Sequence, residues 1–147
     1  MKQPPILIAE DDADDRFLLQ SAFEEQGYKG EIQFVNNGVE LLDHLSAILD
    51  GKEEDRRFPG LILLDLNMPK KDGREALQEI KQHEVLRKIP VIVFTTASNG
   101  REVDRCYSIG ANSYLVKPVS FEGLLKVVGA LNDYWFRTVC IPDDRID

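Results

Sequence analysis

Leu61-Ile62-Leu63-Leu64-Asp65-Leu66-Asn67 is a run of four apolar residues that stops on a carboxylate. Two other stretches read alike. Ile6-Leu7-Ile8-Ala9 runs into Glu10-Asp11-Asp12, and Val91-Ile92-Val93-Phe94 runs into Thr95-Thr96-Ala97-Ser98. A strand with one wet face alternates apolar and polar residues, whereas a short continuous run is what a strand buried on both faces requires. Tyr114-Leu115-Val116, ending in Lys117-Pro118, is a fourth run, and Ile32-Gln33-Phe34-Val35 alternates as an edge strand does. Between them lie segments of helical period over 14–26, 39–49 and 73–85. Two more cover 101–109, closed by Gly110 as a C-cap, and 121 to about 136, opened by Ser120 as an N-cap.

Five strands alternating with five helices specify an α/β fold, a doubly wound parallel sheet with helices on both faces. In such sheets ligands bind beyond the carboxyl ends of the strands. The 147 residues, 43% of them hydrophobic, suffice for one core and one domain. The charged stretch 50–59 reads as a solvated loop. With 18 Lys and Arg against 26 Asp and Glu, the net charge of −8 has the wrong sign for gripping nucleic acid or an anionic membrane. No apolar run is long enough to span a bilayer and the N-terminus is no signal peptide, so a cytoplasmic protein is expected. Cys106 and Cys140 match no metal-ligand spacing and read as reduced thiols. His44 and His83 sit in different helices with no carboxylate or cysteine at metal-ligand spacing and read as solvent-facing.

If the strand order is 2-1-3-4-5, the first and third strands are neighbours and Glu10, Asp11 and Asp65 share one crevice. Two carboxylates about 4 Å apart repel by about 4 kcal/mol at an effective dielectric of about 20, which calls for a cation. Oxygen ligands from Asp11 and Asp65, a backbone carbonyl near Asn67, and waters, one of them held by Glu10, suit Mg²⁺. Lys117 and the Thr96 hydroxyl, ending the two next strands, add an anion-binding half. Asp65 as nucleophile toward phosphorus, with Lys117 and Thr96 on the phosphoryl oxygens, accounts for both halves. Taken singly, each acid is a cap or turn residue, Lys117 a surface lysine and Thr96 a loop hydroxyl. Their convergence favours the site. The Lys117–Pro118 bond is open: trans is the general preference, while a cis bond would aim the ammonium over the strand ends.

These residues, in this order and spacing over about residues 5–132, resemble the receiver domain of two-component response regulators. The quartet is Ile6 to Asp12, Leu63 to Pro69 with Asp72-Gly73, Thr95-Thr96-Ala97, and Tyr114 to Pro118. The resemblance implies the flavodoxin-like, CheY-like order 2-1-3-4-5 and a switch that accepts a phosphoryl group from a phosphohistidine on a sensor histidine kinase. It implies Asp65 as phosphoacceptor, Glu10 and Asp11 as the acids at the metal, and Asn67 as the residue whose carbonyl joins the Mg²⁺ shell. Thr96 is implied as the switch hydroxyl, Lys117 as the phosphate-binding lysine and Tyr114 as the switch aromatic. Such a protein turns over its own phosphoryl group without acting on other substrates. Asp14, Asp15 and Arg16 stand where the resemblance implies kinase contact, although acids at a helix start also complement its dipole.

Only 11 residues follow Phe136, so no output domain is expected. The output is then a surface that another protein reads, or the chain is an intermediate carrier in a phosphorelay. A receiver-like binding module without phosphorylation is the further alternative. The extension 133–147 opens with Tyr134-Trp135-Phe136 shortly after its start, and three consecutive aromatics cannot share one helix face. A homodimer through the last helix and tail is expected, with packing on its own domain as the alternative. The tail, the long loop before the third strand, and Pro69 to Glu75 resemble the small response regulators paired with phytochrome-type histidine kinases. A flavodoxin-like electron carrier is disfavoured, since Glu10-Asp11-Asp12 would repel its phosphate. A phospho-aspartate phosphatase would want an acid where Asn67 stands.

Overall fold

A computed structural model describes residues 3–51 and 57–142, so 52–56 of the charged loop and 143–147 of the tail lie outside the described residues. The strands are β1 Ile6–Ala9, β2 Ile32–Val35, β3 Leu61–Leu64, β4 Val91–Thr95 and β5 Ser113–Val116. The helices are α1 Ala13–Glu25, α2 Gly38–Leu49, α3 Gly73–Gln82, α4 Gly100–Ile109 and α5 Phe121–Leu131. All strand pairs are parallel, in the expected order β2-β1-β3-β4-β5. The register sets Ala9 beside Leu64 and Thr95 beside Val116, so the strands end together.

The continuous apolar runs are explained by two cores. Leu7, Ala9, Ile62, Leu64, Val91 and Val93 face one side of the sheet, with Leu41, Leu45, Leu77 and Ile80 of α2 and α3. Ile6, Ile8, Leu61, Leu63, Ile92 and Phe94 face the other, with Leu19 and Phe23 of α1 and Leu124 and Val128 of α5. Each of the three inner strands, β1, β3 and β4, therefore buries both parities, which leaves polar residues only at its ends, whereas the edge strands β2 and β5 are half-buried.

Side-chain caps fix where the helices start beside those ends. Asp12 accepts from the Asp15 amide, Asp72 from the amides of Arg74 and Glu75, and Ser120 from that of Gly123. Gly110 closes α4 at φ +127°, as its position predicted. The helix expected to reach Val85 stops at Gln82. There the His83 imidazole accepts from the amides of Val85 and Leu86 at 3.1 and 3.2 Å and leads into a 3₁₀ turn at Leu86–Lys88. His83 is exposed as expected, but it also caps this turn.

The last helix likewise leaves α geometry early. A π-helical segment, Asn132–Thr138, follows α5, with the Thr138 hydroxyl donating to the carbonyl of Asp133 and the Asn132 amide to that of Gln26. The wider winding lets Trp135 and Phe136 both pack on the second core, Phe136 with its ring 5.3 Å from that of Tyr28. Only Tyr134 of the three aromatics is left largely exposed, and much of the expected tail surface is thus spent on the chain's own domain.

One lysine pins the opposite end of the sheet. Lys81 of α3 donates to the carbonyls of Arg87 and Ile89 and to the Asn112 side chain, which in turn accepts from the amide of Val91 at the start of β4. Lys81→Met keeps the stem and removes the donors. It is expected to lower stability by about 2 kcal/mol, read as a lower urea midpoint with an unchanged m-value.

Candidate phosphoacceptor and metal site

The ends of β1 and β3 place Glu10 and Asp65 side by side, both buried, with Asp11 exposed at the rim. One carboxylate oxygen from each of Glu10, Asp11 and Asp65 lies within 4.8 Å of the others. Lys117, at the end of β5, crosses β4 and β3 to reach them: its Nζ is 2.5 Å from Glu10 Oε1 and 3.1 Å from Asp65 Oδ2. The Lys117–Pro118 bond is trans, and the lysine side chain spans the gap.

Electrostatics follow from that packing. Burial pushes the Glu10 carboxyl above its ordinary range and the charge of Asp65 adds to it, against the lowering effect of the Lys117 hydrogen bond. Burial works against the Lys117 charge, but its hydrogen bond to Glu10 and the charge of Asp65 prevail and hold it above the ordinary lysine range. A single ammonium cannot neutralise three acids. Hard oxygen donors converging from three carboxylates on an under-compensated negative pocket fit a small divalent cation.

Asp65 is held from below. The Asn67 amide donates to its Oδ1 at 3.1 Å, and Gly73 packs so closely that a Cβ there would lie 2.4 Å from the Asp65 carbonyl oxygen. Gly73 is therefore required to be small by the backbone of the nucleophile candidate itself. Lys70, in the same loop, takes φ +64°, a left-handed conformation that glycine would adopt without penalty.

The threonines separate. Thr96 is exposed beyond the end of β4, whereas Thr95 is buried and its Oγ1 accepts from the Asn67 side-chain amide at 3.4 Å. The structure thus brings Thr95, not the expected Thr96, to the site. The signal was in the strand parity: Thr95 pairs with Val116 and shares a sheet face with Val93 and Tyr114. Tyr114 is half-buried and donates its hydroxyl to the Ala97 carbonyl at 2.7 Å. Burial raises its ionisation range. Asp15, read from sequence as a helix-start acid, is also present, 3.1 Å from Lys117 Nζ.

Carboxylates, an ammonium and a threonine hydroxyl gathered at the carboxyl ends of a doubly wound parallel sheet are the groups that a cation and a phosphoryl-like anion would require. The family profile of the response regulator receiver domain matches residues 6–129, and the chain belongs to that family. It is 39% identical over 141 residues to the response regulator Rcp1 of Synechocystis, covering 95% of each. Over 130 residues it is 42% identical to the probable methanogenesis regulatory protein FilR2 of Methanothrix harundinacea, covering 88% of this chain and 82% of that one. Among solved structures it is similar to the phosphorylated cyanobacterial phytochrome response regulator RcpA. That match has a TM-score of 0.84 at 34% identity, covering 96% of this chain and 99% of the other. It is similar also to the Mn²⁺-bound form of Rcp1, with a TM-score of 0.80 at 38% identity, covering 95% and 99%. Among the described residues no helix is long and apolar enough to cross a membrane.

If the acids are a cation site, Mg²⁺ at about 100 times its dissociation constant should stabilise the fold by about 2.7 kcal/mol. Asp11→Asn should remove most of that increment while leaving the metal-free protein more stable by about 1 kcal/mol, because a repulsive charge is gone. Thermal unfolding with and without Mg²⁺ measures both.

Proposed function

We propose that this chain is a cytoplasmic response regulator that accepts a phosphoryl group on Asp65 from a phosphohistidine of a sensor histidine kinase, of the phytochrome type by its likeness to Rcp1 and RcpA. The observation that carries the reading is the convergence of Lys117 with Glu10, Asp11 and Asp65 on one pocket. Mg²⁺ is the proposed ion, held by Glu10, Asp11, Asp65 and the Asn67 carbonyl. When bound it neutralises phosphoryl oxygens as charge develops on them.

A carboxylate oxygen of Asp65 attacks the phosphorus in line. As that P–O bond forms the P–N bond breaks, its electron pair stays on the imidazole nitrogen, and a proton from solvent completes the neutral histidine. Lys117 donates to a phosphoryl oxygen, and the amide of Asn67 orients the attacking carboxylate. Hydrolysis reverses the bookkeeping: water adds to phosphorus, Asp65 leaves as carboxylate and inorganic phosphate is released. The protein thereby catalyses its own phosphoryl transfer and loss, and turns over no other substrate.

Thr95, rather than Thr96, supplies the switch hydroxyl, because it is the threonine facing Asn67. Its movement toward a phosphoryl oxygen is read by Tyr114 through the loop that carries Ala97. The exposed apolar side chains of Leu18 on α1, with Val119 and Phe121 after β5, line a cleft with Lys117 and offer the kinase its contact. A second copy of the chain is the proposed occupant of the apolar groove formed by Leu115, Val127, Ala130, Tyr134 and Trp135.

Intact-mass analysis with Mg²⁺ and a small acyl phosphate should show one labile phosphoryl group, absent in Asp65→Asn. Thr95→Ala should slow uptake roughly tenfold or more, while Thr96→Ala leaves it unchanged. A folded, metal-binding protein that takes up nothing would instead indicate a non-phosphorylated binding module. For the dimer, sedimentation velocity should show Tyr134→Ser weakening self-association.

A further inference from the structure

The Lys117 ammonium has three N–H donors, and three carboxylates engage it: Glu10 at 2.5 Å, and Asp65 and Asp15 at 3.1 Å each. Glu10 and Asp65 belong to the pocket described above. Asp15 does not, since the acids that converge there among the described residues are Glu10, Asp11 and Asp65. Asp15 stands in the first turn of α1, its own amide held by Asp12 Oδ1 at 2.9 Å. The helix dipole would satisfy an acid at that place without help. Its carboxylate nonetheless occupies the third donor of Lys117.

We propose that Asp15 is a positioning residue, a resting-state counter-ion that holds Lys117 and yields it to an incoming phosphoryl oxygen, and so sets how tightly the site retains a phosphoryl group. The proposal rests on the phosphoacceptor reading. An ammonium bonded to three carboxylates has no donor left, so one partner must give way. Glu10 is buried, 3% exposed at its side chain, and its other oxygen accepts from the Asp12 amide. Asp65 carries the new group. Asp15 is 41% exposed and can be solvated where it stands, so it is the partner released at least cost. A phosphoryl group also brings roughly −1.5 to −2 charge toward the Asp15 carboxylate. Competition for the donor and repulsion of the anion thus act in the same direction, both weakening retention.

The test uses the full chain with Mg²⁺ and beryllofluoride, a stable mimic of an aspartyl phosphoryl group, titrated by calorimetry. Asp15→Asn is expected to bind beryllofluoride about two- to fivefold tighter than the native protein, the range of a partly exposed ion pair. Asp14→Asn, the same charge change one residue away on an exposed position, is expected to leave the affinity unchanged. Mg²⁺ affinity measured alone should shift equally in the two variants, which a structural disturbance confined to Asp15 would not allow. Unchanged or weaker binding by Asp15→Asn, or an equal gain from Asp14→Asn, overturns the role given to Asp15. Failure of the native protein to bind beryllofluoride overturns the phosphoacceptor reading itself, and that outcome is visible before any variant is made.

Discussion

One ammonium among carboxylates is the interaction on which this molecule turns. Glu10 and Asp65 are buried side by side because β1 and β3 are neighbours in register, and nothing apolar can relieve their repulsion. Lys117 relieves part of it from the far edge of the sheet, reaching across two strands to bond both. The relief is incomplete with Asp11 at the rim, and the remaining negative potential is what makes the pocket a place for a divalent cation. The likeness of the whole chain to a Mn²⁺-bound regulator agrees with that electrostatic demand.

The rest of the fold serves to hold this unfavourable cluster still. Two apolar cores, one on each sheet face, lock five strands that end level with one another, and every polar residue that follows a strand is thereby presented on the same rim. Caps at Asp12 and Asp72 begin α1 and α3 immediately beyond the acids. Gly73 lets α3 start against the backbone of Asp65, where any side chain would collide with the Asp65 carbonyl. Lys70 in the left-handed region is the strain this tight loop carries.

Continuous apolar runs closing on carboxylates are visible in sequence because burial on both faces abolishes alternation. That made the sheet, its buried strands and the acids Glu10, Asp11 and Asp65 legible, and Lys117 with them. Two adjacent threonines were not separable by residue type. Strand parity separates them, since Thr95 shares the sheet face of Tyr114 and Thr96 lies beyond the strand. Asp15 was legible as a helix-start acid and, by resemblance, as a kinase contact, but its bond to Lys117 was not, because that distance depends on how α1 packs beside α5. The π-helical segment after α5 was hidden for a similar reason. Its winding answers to tertiary partners, the Gln26 carbonyl and the Tyr28 ring, which lie over 100 residues away in the chain.

On the phosphoacceptor reading, the same geometry limits how a signal can leave the pocket. A phosphoryl group shifts the protein only by contacts that differ between two arrangements. Thr95 and Ala97 lie two residues apart at the end of β4, one hydroxyl facing the pocket through Asn67 and one carbonyl holding the Tyr114 hydroxyl. A pull on Thr95 therefore strains the bond that fixes Tyr114, and freeing that ring alters the surface of β5. The opposing force is nearby: Arg74 of α3 is paired with Glu102 of α4, both largely shielded from solvent, and ties the following helix to one that starts at the phosphoacceptor loop. The resting arrangement is thus held by two polar contacts on either side of one short loop. Changing it therefore means rearranging those contacts while the sheet stays folded.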